Sequence, residues 1–106
     1  MKIKKLSSMK GGWFVGDFEP SVFRTDAFEV GCKGYRAGAV ESRHIHRVAQ
    51  ELTLVVSGRV VMNGVEAGPG DILVLEPGEA ADFSVIENAT TVVVKFPSVI
   101  GDKYPA

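Results

Sequence analysis

Cysteine and histidine are both scarce in this sequence, which has one cysteine, Cys32, and two histidines among its 106 residues. A single cysteine excludes a disulfide within the chain, so the fold depends on a packed core rather than on covalent cross-links. The composition fits a reducing compartment, and we expect a cytoplasmic location.

Long apolar runs are also missing. Even the stretch ELTLVVSGRVVM at 51–62 is interrupted by Ser57, Gly58 and Arg59, whereas a membrane-spanning helix needs about 20 apolar residues. The basic start, MKIKKLSSMKGG, is not followed by an apolar segment of signal-peptide length, so we expect it to remain on the mature protein. The sequence therefore predicts a soluble protein with no membrane partner.

Neither sign of charge dominates, since 12 Lys and Arg residues stand against 13 Asp and Glu residues. Such a chain generates no strong field that would attract nucleic acid or an anionic membrane. No phosphate-binding loop, nucleophile elbow or nucleic-acid module is present, because the glycines lack the required spacing and the basic residues are scattered. We expect a small-molecule ligand and no nucleic-acid partner.

Glycine and proline divide the chain into short segments rich in Val, Ile, Leu, Thr and Phe, too short for typical helices. The length predicts one domain over 1–106, with an N-terminal lead-in strand region at 1–27 and a barrel core at 28–98. In the lead-in region, Trp13, Phe14 and Phe18 are expected to cover one end of the core. The segments that we interpret as strands are FEVGCKGY (28–35), ELTLVVSG (51–58), RVVMNGVEA (59–67), DILVLE (71–76), DFSVIE (82–87) and TTVVVKFP (90–97).

Two local patterns add detail to this all-β prediction. Asn63-Gly64 is the pair most favoured in a two-residue type I′ hairpin, because both positions need positive φ. The runs 72–75 and 92–94 are apolar at every position, which indicates strands covered on both faces or a dimer contact. Short strands without intervening helices indicate a sandwich or a barrel.

The two histidines lie close together, at His44 and His46 in SRHIHRVAQEL. In a strand, successive side chains alternate between faces, so these two imidazoles project from the same side and can converge on one ion. Glu51 begins the next apolar run, and a tight turn through 47–50 would bring it opposite the pair. Two histidines and one carboxylate form a ligand set for a first-row divalent metal that leaves positions open for water or substrate.

These residues resemble the first conserved motif of the cupin family. In that motif a glycine precedes His-x-His by five residues, and a glutamate and then a glycine follow; here they are Gly38, His44, His46, Glu51 and Gly58. The segment GDILVLEPGEAADF is similar to the second motif, with Gly70 and Gly78 in place, Glu76 where proline is usual, and Ala81 where the fourth metal ligand, a histidine, is expected.

The resemblance implies an all-β cupin double-stranded β-helix, a small jelly-roll barrel with its ligands pointing inward, and a homodimer. It also implies one divalent metal ion, Fe, Mn, Ni or Zn, held by His44, His46 and Glu51. Ala81 has no donor atom and leaves a three-ligand site. Alternation from Ala81 and Phe83 turns Asp82 outward, so Asp82 is a substitute ligand only if the strand bulges there.

Other residues are candidates for the substrate pocket. Lys33 and Tyr35 share a face of their strand and either point into the barrel or form an exposed polar face. Thr53, Ala81 and Phe83 are expected in the pocket wall. Cys32 lies on the opposite face to Lys33 and is interpreted as a small buried hydrophobic residue. Lys95 is interpreted as a solvated charge on an edge strand.

Three functional hypotheses follow. The first is a metal-binding cupin that acts on a small molecule, as an oxygenase or an isomerase, since the fold does not decide between chemistries. The second is a non-catalytic module that binds a sugar-like small molecule in the same pocket. The third is a structural dimer with a vestigial site. Metal content, and its dependence on His44 and His46, distinguishes among them.

Overall fold

The computed structural model describes all 106 residues, which form nine β-strands and one short 3-10 turn. The turn covers Leu6–Ser8. No helix in the structure has the length and apolar character needed to cross a bilayer. The strands are β1 (Trp13–Gly16), β2 (Phe23–Arg24), β3 (Glu29–Tyr35), β4 (Val40–Ile45), β5 (Gln50–Met62), β6 (Val65–Ala67), β7 (Ile72–Leu75), β8 (Ala80–Phe96) and β9 (Tyr104–Pro105).

Two long strands, β5 and β8, pair along most of their length and take part in two sheets. The first sheet has the order β2-β1-β3-β8-β5-β7 and uses the C-terminal half of β8 with the N-terminal half of β5. The second sheet has the order β9-β4-β8-β5-β6 and uses the other halves. All pairs are antiparallel except β1 with β2. The predicted all-β jelly roll is confirmed.

The long strands are continuous where the sequence indicated breaks. Segments 51–58 and 59–67 were expected to be separate strands, but β5 runs through Ser57 and Gly58, with register shifts between residues 55 and 60. Gly58 has φ +82°, and a Cβ atom there would lie 2.1 Å from the carbonyl oxygen of Asn88. Segments 82–87 and 90–97 likewise form one strand, β8. That interpretation was wrong because bulges bend a strand without ending it.

The β5–β6 hairpin has the turn that was predicted. Asn63 and Gly64 have φ values of +51° and +76°, and Met62 pairs with Val65 on either side of them. Both central residues are therefore in the left-handed region that a type I′ turn requires. This prediction is confirmed.

A packed apolar cluster fills one part of the barrel. Val55 and Val60 on β5 are completely buried, and aliphatic side chains from β6, β7 and β8 surround them. Met62, Ala81 and Phe83 belong to this cluster and also line a cavity next to it. The interior is therefore packed in one part and hollow in another, and the hollow part contains the polar residues.

The aromatic residues near the N-terminus do not act together. Trp13 lines the interior cavity, whereas Phe14, the next residue on β1, packs outside the barrel beside Cys32, Leu6 and Val22. Phe18 lies near Trp13 in a second, shallower pocket. The expectation that all three cover the core was wrong for Phe14, because neighbouring side chains on a strand point to opposite faces.

Candidate functional site

The interior cavity has a volume of about 170 Å³ and receives side chains from both sheets. It is small beside the ~300–1,000 Å³ of common ligand pockets. Aromatic and aliphatic side chains form part of its lining, and a group of ionisable residues forms much of the rest. The lining consists of Trp13, Lys33, Tyr35, Glu41, His44, His46, Glu51, Thr53, Met62, Ala81, Phe83, Thr91, Val93, Lys95 and Lys103.

Both histidines are buried in this cavity, His44 on β4 and His46 just after its end. Their ring centroids are 5.0 Å apart in an edge-to-face arrangement. His44 Nδ1 lies 3.0 Å from the carbonyl oxygen of Ser42. Because a carbonyl oxygen only accepts, Nδ1 carries the proton, and Nε2 is the lone-pair nitrogen of the neutral ring.

Burial lowers the pKa of His46 to about 4, and the positive charge of Lys95 adds to the effect. The imidazole of His46 is thus neutral at physiological pH, which is the form that donates a lone pair to a ligand. The position of His46 is fixed through its backbone, since its carbonyl accepts a 2.7 Å hydrogen bond from the N–H of Gly78.

Glu51, the second residue of β5, lines the same cavity. Burial raises the pKa of its carboxyl, and Lys95 opposes the shift. Between His46 and Glu51 the chain makes the tight turn that the sequence indicated. His44, His46 and Glu51 therefore all line one cavity.

A carboxylate near the C-terminus holds this turn. Asp102 accepts hydrogen bonds from the backbone N–H groups of Arg47 (2.9 Å), Val48 (3.2 Å) and Ala49 (2.9 Å). Desolvation acts to raise the pKa of Asp102, but the three N–H donors together bring it below its ordinary value. Asp102 was not identified from the sequence, because 53 or more residues separate it from the turn.

Glu41 also faces the cavity, where its Oε1 accepts a 2.9 Å hydrogen bond from the hydroxyl of Tyr35. Burial raises the pKa of Tyr35, and the charge of Glu41 raises it further. Strict alternation from His44 would turn Glu41 outward. A bulge in β4 reverses this, since Glu41 pairs with Phe83 and His44 pairs with Ala81, so that three steps on β4 match two on β8.

Lys95 is not the solvated edge charge that was expected. Its side chain is only 17% exposed, and its Nζ lies 2.9 Å from Oε1 of Glu29 on the neighbouring strand. The hydroxyl of Ser98 donates to the other oxygen of Glu29 at 2.9 Å. The expectation was wrong because β8 is a central strand, with β3 on one side and β5 on the other, so the inward face of residue 95 is covered.

Lys33 and Lys95 share one aromatic neighbour. Their Nζ atoms lie 4.9 Å and 4.8 Å from the centre of a Trp13 ring. Gly31 makes room for this indole, since a Cβ atom at residue 31 would lie 2.8 Å from the Trp13 ring. Burial lowers the pKa of Lys33, Glu41 opposes the shift and Lys95 adds to it.

The other sequence-predicted pocket residues, Tyr35, Thr53, Ala81 and Phe83, all line the cavity. Asp82 faces away from it, where its carboxylate pairs with Arg43 at 3.6 Å and its backbone N–H donates to Asn63 at 3.1 Å. No three His, Cys, Asp or Glu side chains form a cluster that could hold an ion in the present side-chain positions. The two imidazoles lie together, and Glu51 stands apart from them.

The sequence analysis missed several lining residues, and only some had a usable signal. Every second side chain on β8 points to the same face, so Thr91 and Val93 point inward with Lys95. A correct orientation for one of them would have given the orientation of the other two. Glu41 depends on the bulge, and Lys103 reaches the cavity from the C-terminal segment beyond the expected barrel core. Neither of these two could be inferred from alternation.

No protein-family model matches the chain, and no curated protein matches it. Solved structures do. DddQ, a DMSP lyase from Ruegeria pomeroyi DSS-3, superposes with a TM-score of 0.72 and 18% identity over 87% of this chain and 48% of that one. A Klebsiella pneumoniae protein with a double-stranded beta-helix domain has a TM-score of 0.69 and 22% identity over 94% of this chain and 88% of that one.

A sugar phosphate isomerase from a cupin superfamily, from Silicibacter pomeroyi DSS-3, has a TM-score of 0.58 and 26% identity over 66% of this chain and 50% of that one. This chain thus spans about half the length of the DMSP lyase and of the isomerase. The chain has the double-stranded β-helix fold of the cupin superfamily. The resemblance drawn from the His-x-His motif is confirmed at the level of the fold.

Proposed function

We propose that this chain is a metal-binding cupin that acts on a small molecule, with His44, His46 and Glu51 as ligands of one divalent ion, Fe, Mn, Ni or Zn. The observation that carries the proposal is the convergence of these three side chains on one small interior cavity. A DMSP lyase and a sugar phosphate isomerase are among the proteins that share the fold, which supports small-molecule chemistry.

The donor atoms fit such an ion. A metal–nitrogen bond of about 2.1 Å places each ring centroid roughly 3.2 Å from the ion, so two imidazoles that share it stand roughly 4.5–5.2 Å apart. The observed 5.0 Å between His44 and His46 lies within this range. The Ser42 carbonyl fixes the ring of His44 in the tautomer whose Nε2 can coordinate, as carbonyl oxygens do when they accept a hydrogen bond from a metal-binding histidine. Coordination by all three residues requires the Glu51 side chain to move toward the imidazoles, because no three donors cluster in the present positions.

A bound ion would supply Lewis-acid or oxygen-activating chemistry, as an isomerase or an oxygenase requires. The chain itself supplies the pocket. Tyr35 and Phe83 pack with their ring centroids 5.2 Å apart and form an aromatic wall, and Thr53 and Ala81 also line the cavity. The hydrogen-bonded pair of Tyr35 and Glu41 can hold or transfer a proton at the Tyr35 oxygen.

A metal-free binding module is the second candidate, and Ala81 favours it. Ala81 occupies the position of the fourth cupin ligand and pairs directly with His44, where it offers no donor atom. In this alternative the polar cavity captures a sugar-like molecule through hydrogen bonds alone. A structural dimer with a vestigial site would bind neither metal nor small molecule.

Metal analysis tests these alternatives. Protein purified without chelator, and protein reconstituted separately with Fe(II), Mn(II), Ni(II) and Zn(II), is analysed by inductively coupled plasma mass spectrometry. We expect about one ion per chain, with loss of the ion in His44→Ala and His46→Ala. Glu87→Gln, an exposed carboxylate on β8, is the matched control and should keep the metal. Absence of metal after reconstitution in the folded protein contradicts the proposal.

We also propose a homodimer formed through the outer face of the first sheet. The outward side chains make two rows that cross four adjacent strands, and none of the eight carries a charge. The rows are Val30, Val94, Leu52 and Val74, and Cys32, Val92, Leu54 and Ile72. Uncharged apolar surface of this extent is typical of an interface. We keep the cytoplasm as the expected compartment, because the lone Cys32 fits a reducing environment.

A further inference from the structure

Lys33 on β3 and Thr91 on β8 are directly paired across the first sheet, and both line the cavity that contains the histidines. Lys33 is partly buried and makes no ion pair, whereas Lys95 is paired with Glu29. The Lys33 ammonium lies 4.9 Å from the centre of a Trp13 ring, and the charge of Glu41 acts on it across the cavity. An ammonium group in such a position is available to an anion that enters the cavity.

Thr91 presents a second unused donor. Its side chain is completely buried, and its Oγ1 has no hydrogen-bond partner, the one buried side-chain nitrogen or oxygen in the structure of which this is true. Buried hydroxyls in folded proteins almost always have partners, because an unpaired one keeps its desolvation penalty. Because Thr91 lines the cavity, a ligand atom that enters there could pair with this hydroxyl.

We propose that Lys33 and Thr91 form an anion subsite that binds the carboxylate group of the small-molecule ligand. The inference rests on the proposed function, because it names the class of ligand that the same cavity accepts. The ammonium has three N–H donors and the hydroxyl has one, so together they can donate to both oxygens of a carboxylate. His44, His46 and Glu51 then face the rest of the molecule.

The charges and size of the cavity support a carboxylate over a phosphate. Its three lysines, Lys33, Lys95 and Lys103, stand against two glutamates, and Glu29 neutralises one of the lysines. Lys33 is therefore the interior lysine without an ion pair, and Lys103 is exposed at the edge of the cavity. Glu41 and Glu51 line the same cavity, so a carboxylate monoanion meets less repulsion there than a phosphate dianion does. A volume of about 170 Å³ restricts the ligand to a small molecule.

The test uses propionate as the probe, propionamide as its uncharged isostere and metal-free protein. Binding is followed by two-dimensional ¹H–¹⁵N NMR, with the amide signals of Lys33 and Thr91 as reporters. We expect propionate to bind and propionamide to bind at least about tenfold more weakly, because an ion-assisted hydrogen bond is lost. Equal binding of the two probes, or tighter binding of methyl phosphate than of propionate, overturns the proposal.

Variants of Lys33 and Thr91 test whether these two residues bind propionate. Lys33→Met and Lys33→Gln should each weaken propionate binding about tenfold, whereas Lys2→Met, at an exposed N-terminal position, should not. Thr91→Val should weaken it about threefold while the melting temperature stays the same or rises, since the change removes an unpaired buried hydroxyl. Thr90→Val, one residue away and facing outward, is the control. Unchanged affinity in either Lys33 variant overturns the subsite.

The outcome is independent of the metal. Because the titrations use metal-free protein, a failure to bind any ion contradicts the proposed metal centre and leaves the carboxylate measurement valid. The same titration with metal-loaded protein tests whether the anion contacts the metal instead of Lys33. If propionate binds only when metal is present, and equally well in Lys33→Met, the anion contacts the metal rather than Lys33 and the subsite is overturned.

Discussion

His44 pairs directly with Ala81 in the ladder between β4 and β8. Both residues are buried and both line the cavity, so the methyl group of Ala81 stands beside the imidazole where cupins carry a further ligand. The bulge that lies between Glu41 and His44 fixes this register. Residue 81 thus departs from the cupin motif in its side chain, while the pairing of β4 with β8 is kept.

Ala81→His should therefore add a fourth ligand to the proposed site. We expect the affinity for Zn(II) or Ni(II) to rise at least about tenfold, since even groups that only orient the ligands contribute ten- to hundredfold. The measurement is a competition titration against a chromophoric chelator. Asp82→His is the matched control, because residue 82 is exposed on the other face of β8. Equal affinity in Ala81→His and the unaltered protein would show that residue 81 does not face the ion.

Asp102 should stabilise the fold in a pH-dependent way. Its three backbone donors keep its pKa in the folded chain below the unfolded value, which is about 4. The contribution is therefore fully present above pH 4 and is lost as the pH falls through the lower folded pKa. Asp102→Ala should lower the free energy of unfolding by about 2 kcal/mol at pH 7, as loss of a capping carboxylate does.

Urea denaturation at pH 7 and at pH 2 measures this difference, with Asp26→Asn, an exposed carboxylate without side-chain hydrogen bonds, as the control. The destabilisation caused by Asp102→Ala should shrink as the pH falls, because protonation of the carboxylate in the unaltered protein removes the same stabilisation. A loss of equal size at both pH values would mean that packing, rather than the charged hydrogen bonds, is responsible.

The β5–β6 turn allows backbone strain to be separated from side-chain contact. Gly64 and Gly34 both have open space where a Cβ atom would lie, but only Gly64 has a positive φ, +76°. Gly64→Ala should cost about 1–2 kcal/mol in the free energy of unfolding. Gly34→Ala should be neutral or stabilising by about 0.4–1 kcal/mol, because it reduces the entropy of the unfolded chain. Thermal unfolding of the pair checks this, and equal effects would contradict it.

The sequence carried enough information for the fold class and for the side chains that follow simple alternation. His44 and His46, like Lys33 and Tyr35, are two residues apart on or next to one strand, and each pair reaches the cavity. Turn chemistry was equally local, since Asn63-Gly64 alone specifies the hairpin. Alternation and turn chemistry depend on a few neighbouring residues that set backbone direction, although for Lys33 and Tyr35 alternation left the choice of face open.

The other residues of the site were not predictable, because their positions depend on contacts between distant parts of the chain that no local pattern contains. Glu41 faces inward only because of a bulge, and Lys95 is covered only because β8 lies between β3 and β5. Asp102 reaches the turn at 47–49 through a C-terminal segment that returns beside β4. Register shifts, the order of the strands and the path of the C-terminal segment are set by the packing of the whole barrel, so the sequence alone left them open.

The apolar outer face of the first sheet should be a dimer interface. Val74 and Ile72 on β7 are exposed, 51% and 61%, in a single chain, and burying such side chains yields about 25 cal/mol per Å². We expect a dimer at micromolar concentration by sedimentation velocity, and a monomer for Val74→Lys, because a charge would be buried without a partner. Val40→Lys introduces the same charge on β4, in the second sheet, and should leave the dimer intact. A monomer in the unaltered protein, or equal disruption by both variants, would contradict this interface.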